Sequence, residues 1–310
     1  MSGPERAPVC LIDASIYIFR YYFSLPAAWI SPLNGYSTEA VYGFTGFLLE
    51  LMEKHTPGRL AACFDESLGS GFRHQLSPDY KASRVLPDEA LAFQLQACRR
   101  VAGLLGIATF ASDRYEADDL LASLYRVCAR ARSPIAVLTR DKDLAQLLRR
   151  PQDFLWDYGA GVRHYGADIE KRLGIAPAQM VDYLALVGDP IDDIPGVPGV
   201  GAKTAAALLR HGKSLKALYA RPGQIADIPV RGAAGLAAKL LAHRDQVALS
   251  QQLAALVGGL PLIDSAAKLD KTSIKMEEFG EFCREMGWPD KPRRRALALA
   301  QARTGRTLQP

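Results

Sequence analysis

Histidine and cysteine are scarce in this chain and placed without pattern: five of each in 310 residues. The histidines (His55, His74, His164, His211 and His243) form no HExxH pair, which sets aside a zincin-type hydrolase. No GxSxG segment occurs, so a serine nucleophile on a strand-to-helix elbow is set aside too. The cysteines (Cys10, Cys63, Cys98, Cys128 and Cys283) are odd in number, lack any CxxC and each stand in an apolar stretch. They read as reduced, buried thiols of a cytosolic protein. No apolar run reaches the length of a membrane helix. Residues 1–8 lack the build of a signal peptide. Internal repeats and low-complexity stretches are absent.

What is present suits a soluble globular protein of one large or two modest domains, with 49% hydrophobic residues. The net charge of +5 hides an asymmetry. Bases gather at residues 73–84, 203–216 and 293–306. A polyanionic partner is one reading of these clusters, and a solvated basic surface is the other.

Apolar runs at residues 8–13, 60–65 and 135–139, with a short one at 108–111, predict strands. Helical periodicity occupies 39–54, 88–105 and 115–132, and another helix starts at 143–148. This alternation predicts an α/β fold: a mostly parallel sheet flanked by helices. Residues 66–87 are polar, carry Gly69, Gly71 and Pro78, and read as a long loop or arch. Beyond about 180 the pattern turns helical, at 201–211, 214–219, 232–257 and 277–287, with short Gly/Pro turns. The expected organisation is an α/β core over 1–180 with the arch at 66–87. A helical domain over 181–290 and a basic, poorly ordered tail over 291–310 follow.

Aspartates end three of the predicted strands: Asp13, Asp65 and, just beyond, Asp141. Ligands of open parallel sheets bind outside the carboxyl ends of the strands, so these three should converge. Glu116, Asp118 and Asp119 open a helix, where the dipole favours carboxylates. Asp143 follows Asp141, and Asp189 and Asp192 lie in a turn at the expected domain junction. Each acid singly could be a cap or a turn residue. As a set, converging anions raise one another's pKa unless a cation sits among them. Oxygen ligands without His or Cys point to Mg²⁺ or Mn²⁺. The surplus of acids suggests two ions, which suits phosphodiester hydrolysis: one activates water, the other stabilises the leaving oxygen.

Residues 194–204 carry Gly196, Gly199 and Gly201 ahead of an Ala/Leu-rich helix. Ala202 stands where a Walker A loop needs lysine, so triphosphate binding is disfavoured. Backbone N–H groups facing a phosphate at a helix N-terminus fit better, with Lys203 and Thr204 in the first turn and Lys213 and Lys216 adding charge. A plain packing turn is the alternative. In the arch, Arg73, Lys81 and Arg84 could clamp phosphates, and Tyr80 could stack on a base.

Taken together, these segments resemble the 5′-nuclease family of bacterial 5′→3′ exonucleases, polymerase 5′-nuclease domains and flap endonucleases. The matching pieces include Leu11-Ile-Asp-Ala14, Phe72-Arg-His74, Tyr80-Lys81, the run from Tyr115 through Asp118 and Asp119 to Leu124, Leu138 to Leu144, and Gly188 through Ala205, in family order. The resemblance implies a PIN-like core, a helical arch and a helix–three-turn–helix that grips duplex DNA. It implies Asp13, Asp65, Glu116 and Asp118 as ligands of a first metal and Asp141, Asp143, Asp189 and Asp192 as ligands of a second, with Asp119 near both. Lys81, Arg84, Asp118 and Asp119 would serve catalysis. The turn at Val197, Val200 and Gly201 would hold a monovalent cation, K⁺, through backbone carbonyls. Two departures stand out: Ile191 and Asp193 replace the family's usual serine and asparagine.

The resulting expectation is a monomeric, structure-selective DNA 5′-nuclease acting on 5′ ends, flaps or nicks. It would work in the bacterial cytoplasm at the nucleoid, with no membrane partner and no attached polymerase. A non-catalytic DNA-binding protein and a PIN-type ribonuclease are the alternatives.

Overall fold

The computed structural model describes residues 7–67, 69–230 and 232–306. In chain order the elements are β1 (Val9–Asp13), α1 (Ala14–Ser24), α2 (Glu39–His55), β2 (Leu60–Asp65), α3 (Phe72–Leu76), α4 (Glu89–Leu104), β3 (Ala108–Ser112), α5 (Ala117–Cys128) and β4 (Ile135–Leu138). There follow β5 (Phe154–Asp157), β6 (Val162–Tyr165), α6 (Gly166–Leu173), α7 (Met180–Val187), α8 (Ala202–Gly212), α9 (Leu215–Ala220), α10 (Ala233–Ala242), α11 (Arg244–Ala254), α12 (Met276–Glu285) and α13 (Lys291–Arg306). The chain forms two compact units: Met1–Glu66 with Leu86–Thr139 and Gly258–Pro310, and Ser67–Val85 with Arg140–Val257. The arch segment therefore belongs with the second unit, a division that the chain order alone does not suggest.

The first unit is built on parallel strands in the order β3-β2-β1-β4. All residues of β1 and β4 are buried, as expected of parallel strands covered on both faces. Asp13 pairs with Cys63, and Asp65 with Ser112. Parallel pairing thus brings the aspartates that end β1 and β2 to the same edge of the sheet. Helix α5 packs on β1, β2 and β3. It starts later than the sequence suggests because Glu116 takes the N-cap, and it ends at Cys128 with Ala129 as its C-cap.

Several features depart from expectation. Helix α1 has no counterpart in the sequence reading, since its run of Tyr17, Phe19, Tyr21, Tyr22 and Phe23 favours strands as readily. The helix expected over 232–257 is two helices broken at His243. The stretch expected as a poorly ordered tail is α13, anchored on α2 by the fully buried Ala296 and a two-pronged Arg295–Glu53 pair at 2.9 and 2.7 Å. Residues 307–310 of that stretch lie outside the described residues. All five cysteines are buried, as the sequence predicts. Among the described residues no helix is long and apolar enough to cross a membrane.

The second unit holds the helices α3 and α6–α11 and the antiparallel β5–β6 hairpin. The arch segment carries a short helix, α3, where the sequence reading has only loop. Arg73 is its anchor. The side chain is 2% exposed, and its Nε and Nη2 donate to Leu253 O at 2.7 Å and Ala255 O at 2.9 Å. These carbonyls close α11, where no intrahelical N–H remains to satisfy them and a cation is favoured. Arg73 is thus buried on protein carbonyls and not presented to phosphate, which corrects its expected role. Arg73→Ala leaves those carbonyls without their charged donor, and we expect a loss of about 3 kcal/mol in chemical denaturation. Arg73→Lys should recover little, because one ammonium cannot reproduce the fork. An Arg73→Ala protein as stable as wild type would contradict this anchoring role.

Candidate metal centre

In the first unit the acids gather at the carboxyl edge of the parallel strands. Asp13 is 4% exposed and its Oδ2 accepts from Thr139 Oγ1 at 2.9 Å. Asp65 Oδ1 accepts from the Ala117 N–H at 2.6 Å, so the acid ending β2 caps the start of α5. Burial pushes the Cys63 thiol well up, and Asp13, Asp65 and Asp118 each push it further. The charges of those three carboxylates therefore converge on one buried sulfur. Glu116 and Asp118 are partly exposed at the helix start. Asp119 differs: it is fully buried and its Oδ2 accepts from the Glu116 N–H at 3.2 Å. The structure gives Asp119 a capping duty, one of the roles open to it in the sequence.

In the second unit Asp141, Asp143 and Asp189 surround Lys142. The Lys142 ammonium stands 3.5 Å from Asp143 and 3.7 Å from Asp189. Asp141 Oδ1 accepts from the Asp143 N–H at 2.8 Å, and Asp189 Oδ1 from the Ile191 N–H at 2.8 Å. Burial raises the Asp141 carboxyl, the Asp143 N–H opposes it, and Asp192 adds to the rise. Asp143 is pushed up to about 7, first by burial and then by Asp141. Burial works to lower the Lys142 ammonium, but Asp143, Asp189 and Asp141 outweigh it and raise it.

Asp192 meets the arch. Its Oδ1 accepts from Arg84 Nη2 at 2.5 Å, and Lys81 Nζ stands 3.6 Å from its Oδ2. Tyr80 is 2% exposed, edge-on to His74, with its hydroxyl 3.4 Å from Asp192 Oδ2. A ring so enclosed cannot offer a face to a base, which corrects the stacking role expected of Tyr80. Asp193 accepts from Ser83 N–H and Oγ, and these bonds, with Arg84, hold its carboxyl below the usual range.

As placed, no group of three or more described His, Cys, Asp or Glu side chains is arranged to hold a metal ion. The reason is visible residue by residue. Most of the acids direct an oxygen at an N–H, a hydroxyl or a base. The donor set nonetheless fits a hard cation, being all oxygen. One atom fits it specifically: Asp143 Oδ1 is buried and accepts no hydrogen bond. Lys142 is its nearest counter-charge at 3.5 Å, and a divalent ion there would supply the direct oxygen contact that this lysine does not make.

The glycine turn before α8 divides into packed and open positions. Gly188 (φ +81) and Gly196 lie backbone to backbone, and a Cβ on Gly196 would collide with Val187 O. Gly196 O and Pro195 O accept from Gln246 Nε2 at 2.7 Å and Ser250 Oγ at 2.6 Å. Val197 O accepts from the Val200 N–H, and both valine side chains are buried. Gly196 and Val197 therefore serve packing in this arrangement. Gly199 (φ +77), Gly201, Lys203 and Thr204 line the open side, with no acid in the first turn of α8. Lys239, which the sequence gives no reason to single out, places its ammonium 3.1 Å from where a Gly199 Cβ would stand. Lys142 was equally missed, although a base between two acids at 141–143 is a readable signal.

Comparison with known proteins agrees with this architecture. The family description 5′-3′ exonuclease, N-terminal resolvase-like domain, matches residues 8–174, and 5′-3′ exonuclease, C-terminal SAM fold, matches 175–277. The chain belongs to the 5′-3′ exonuclease family. It is 38% identical over 251 residues to DNA polymerase I of Pseudomonas aeruginosa, covering 81% of this chain and 27% of that protein. It is 33% identical to the thermostable DNA polymerase I of Thermus aquaticus, covering 93% and 34%. The chain thus spans about a third or less of these relatives. Among solved structures it resembles T5 5′-exonuclease with bound divalent metal ions (zinc), at TM-score 0.64 and 18% identity, covering 94% of this chain and 99% of that one. It also resembles the catalytic core of Rad2 in complex with DNA substrate, at TM-score 0.63 and 15% identity, covering 96% and 95%. The fold is that of a resolvase-like α/β core followed by a helical SAM-type domain.

The elevated Asp143 carboxyl makes a pH prediction. Its folded pKa, about 7, exceeds its ordinary value of 3.8, so the native state retains the proton longer than the unfolded chain. The stability this gives is complete below the ordinary value and is lost as pH rises through about 7. Without divalent ions, Asp143→Asn should therefore gain on wild type in melting temperature between pH 5 and 8. Added Mg²⁺ or Mn²⁺ should stabilise wild type more at pH 8 than at pH 5. Parallel pH profiles for the two proteins would overturn this.

Proposed function

We propose that this chain hydrolyses DNA phosphodiesters at 5′ ends, flaps or nicks, as a monomer that uses two divalent ions. The observation that carries the reading is the pair of oxygen-only acid sets, one in each unit, the second with a buried carboxylate oxygen that accepts no hydrogen bond. Asp13, Asp65, Glu116 and Asp118 would hold one ion, and Asp141, Asp143, Asp189 and Asp192 the other. Mg²⁺ is the first choice and Mn²⁺ the second, since both accept all-oxygen sites. Bound there, the ions supply Lewis acidity that activates water and offsets charge on the leaving oxygen.

The remaining duties fall to this chain's own side chains. Lys81 and Arg84 are the arch cations, and would neutralise the phosphate undergoing attack. Lys203 and Thr204, with the backbone at Gly199 and Gly201, would take a duplex phosphate at the start of α8, and Lys239 would add charge beside it. A K⁺ at this turn would draw on the carbonyls of Val200 and Gly201 more than on that of Val197, which already accepts a hydrogen bond. A functional division near residue 180 agrees with the two family segments. The relatives that match are bacterial DNA polymerases, which supports DNA of the bacterial chromosome as substrate.

The test is incubation with 5′-labelled flap, nicked and blunt duplexes, plus matched RNA, in Mg²⁺. Wild type should cut the DNA flap or nick, chelation should stop it, and Asp141→Ala should lower the rate by about 100-fold or more. Mononucleotide products indicate stepwise trimming, and a released intact flap indicates endonucleolytic cutting. Absence of cleavage on every DNA would overturn the reading.

A further inference from the structure

Four described non-glycine residues adopt a left-handed backbone, and two of them meet: Lys81 at φ 53 and Asp193 at φ 52. Both belong to the second unit. The Lys81 N–H donates to Asp192 O at 3.1 Å, joining the two strained segments through their main chains. Such strain is disfavoured for residues bearing a Cβ and persists where surrounding contacts enforce it. Asp193 supplies those contacts. Its Oδ2 accepts from the Ser83 N–H at 3.0 Å and from Ser83 Oγ at 2.7 Å. Ser83 sits between the two arch cations that engage the neighbouring Asp192. The left-handed conformation turns the Asp193 side chain toward the arch, and Asp and Asn are the side-chain-bearing residues that tolerate it best.

We propose that Asp193 is a positioning residue, which latches the arch through Ser83 and so holds Lys81 and Arg84 at the second acidic turn. The proposal rests on the reading that these two bases act on the substrate phosphate. Because both bonds end on one oxygen, an amide oxygen can replace it, so the geometry of the latch and not the extra charge of Asp193 is what matters. The exposed Ile191, at 70%, makes no hydrogen bond through its side chain, which leaves Asp193 as the turn's link to Ser83.

The experiment uses the full chain and has two readouts. The first, without DNA or metal, is the rate of tryptic cleavage after Lys81 and Arg84. Asp193→Ala should raise it by about fivefold or more, Ser83→Ala by less, and Asp193→Asn should stay near wild type. The double variant should be no faster than Asp193→Ala alone. The second readout is flap cleavage. Asp193→Ala should lower kcat by about tenfold with little change in KM, and Asp193→Asn should restore it. In a Lys81→Ala background the Asp193→Ala loss should largely vanish, which a general loss of folded protein would not produce. Unchanged tryptic cleavage in Asp193→Ala, or an undiminished loss in the Lys81→Ala background, would overturn the proposal. A wild type that cuts no DNA overturns the nuclease reading, and the tryptic rates still decide whether the latch exists.

Discussion

Carboxylates packed close to one another and withdrawn from water repel, and a protein that keeps them ionised must place donors or cations among them. Much of this chain's local structure answers that requirement. Asp65 turns to the first N–H of α5, Asp13 to the Thr139 hydroxyl, and Asp141 to the N–H of Asp143. Lys142 stands between Asp143 and Asp189, and Arg84 and Lys81 stand on Asp192. The exception is informative. Asp143 keeps a buried oxygen that accepts no hydrogen bond although Lys142 stands 3.5 Å away, and burial with the Asp141 charge pushes its carboxyl up to about 7. An acid raised in this way opposes folding when ionised and is poised for a hard cation.

How legible this was depended on whether a residue's role follows from its own strand or helix. The strands β1, β2 and β4 read directly from buried apolar runs, and parallel pairing then sends Asp13 and Asp65 to one edge without further information. The acids at 189 and 192 were legible from turn residues around Gly188 and Pro190, because turns punctuate sequence strongly. Arg73 and Tyr80 were not. Bases interleaved with aromatics describe a nucleic-acid surface and an amphipathic packing segment equally well. Only the contact of α3 with the end of α11 decides between them. Helix α1 was hidden for a similar reason, since an aromatic run carries weak helical periodicity.

The glycine turn shows the same division on a finer scale. One motif contains residues with opposite duties. Gly188 and Gly196 permit the backbone to fold against the end of α7, where any Cβ would collide. Gly199 and Gly201 leave the start of α8 open, next to Lys203 and Lys239. The sequence presents four similar glycines, while the structure separates those that close a turn from those that expose one. The proposed phosphate site at α8 would depend on both kinds, because the exposed N–H groups hold their direction only while the packed glycines fix the turn.

That dependence of exposed chemistry on packed support extends to the arch. Arg73 pins the base of the segment to carbonyls at the end of α11, deep enough that charge and hydrogen bonding reinforce one another. Farther along, at Ser83 and Arg84, the contacts are exposed and compete with water. The segment is therefore firm at its root and held more weakly toward Ser83 and Arg84. In the proposed function the loop would bring its cations to an incoming polyanion, a task that suits this gradient. Rigid throughout, it could not admit the strand; loose throughout, it would lose the entropy gained by fixing Lys81 and Arg84 beforehand. In the proposed function the acidic turn that holds those cations would also hold a divalent ion. The arch cations are thus counter-charges for a carboxylate that the proposed metal would share, and a bound phosphate would offer those bases an alternative partner.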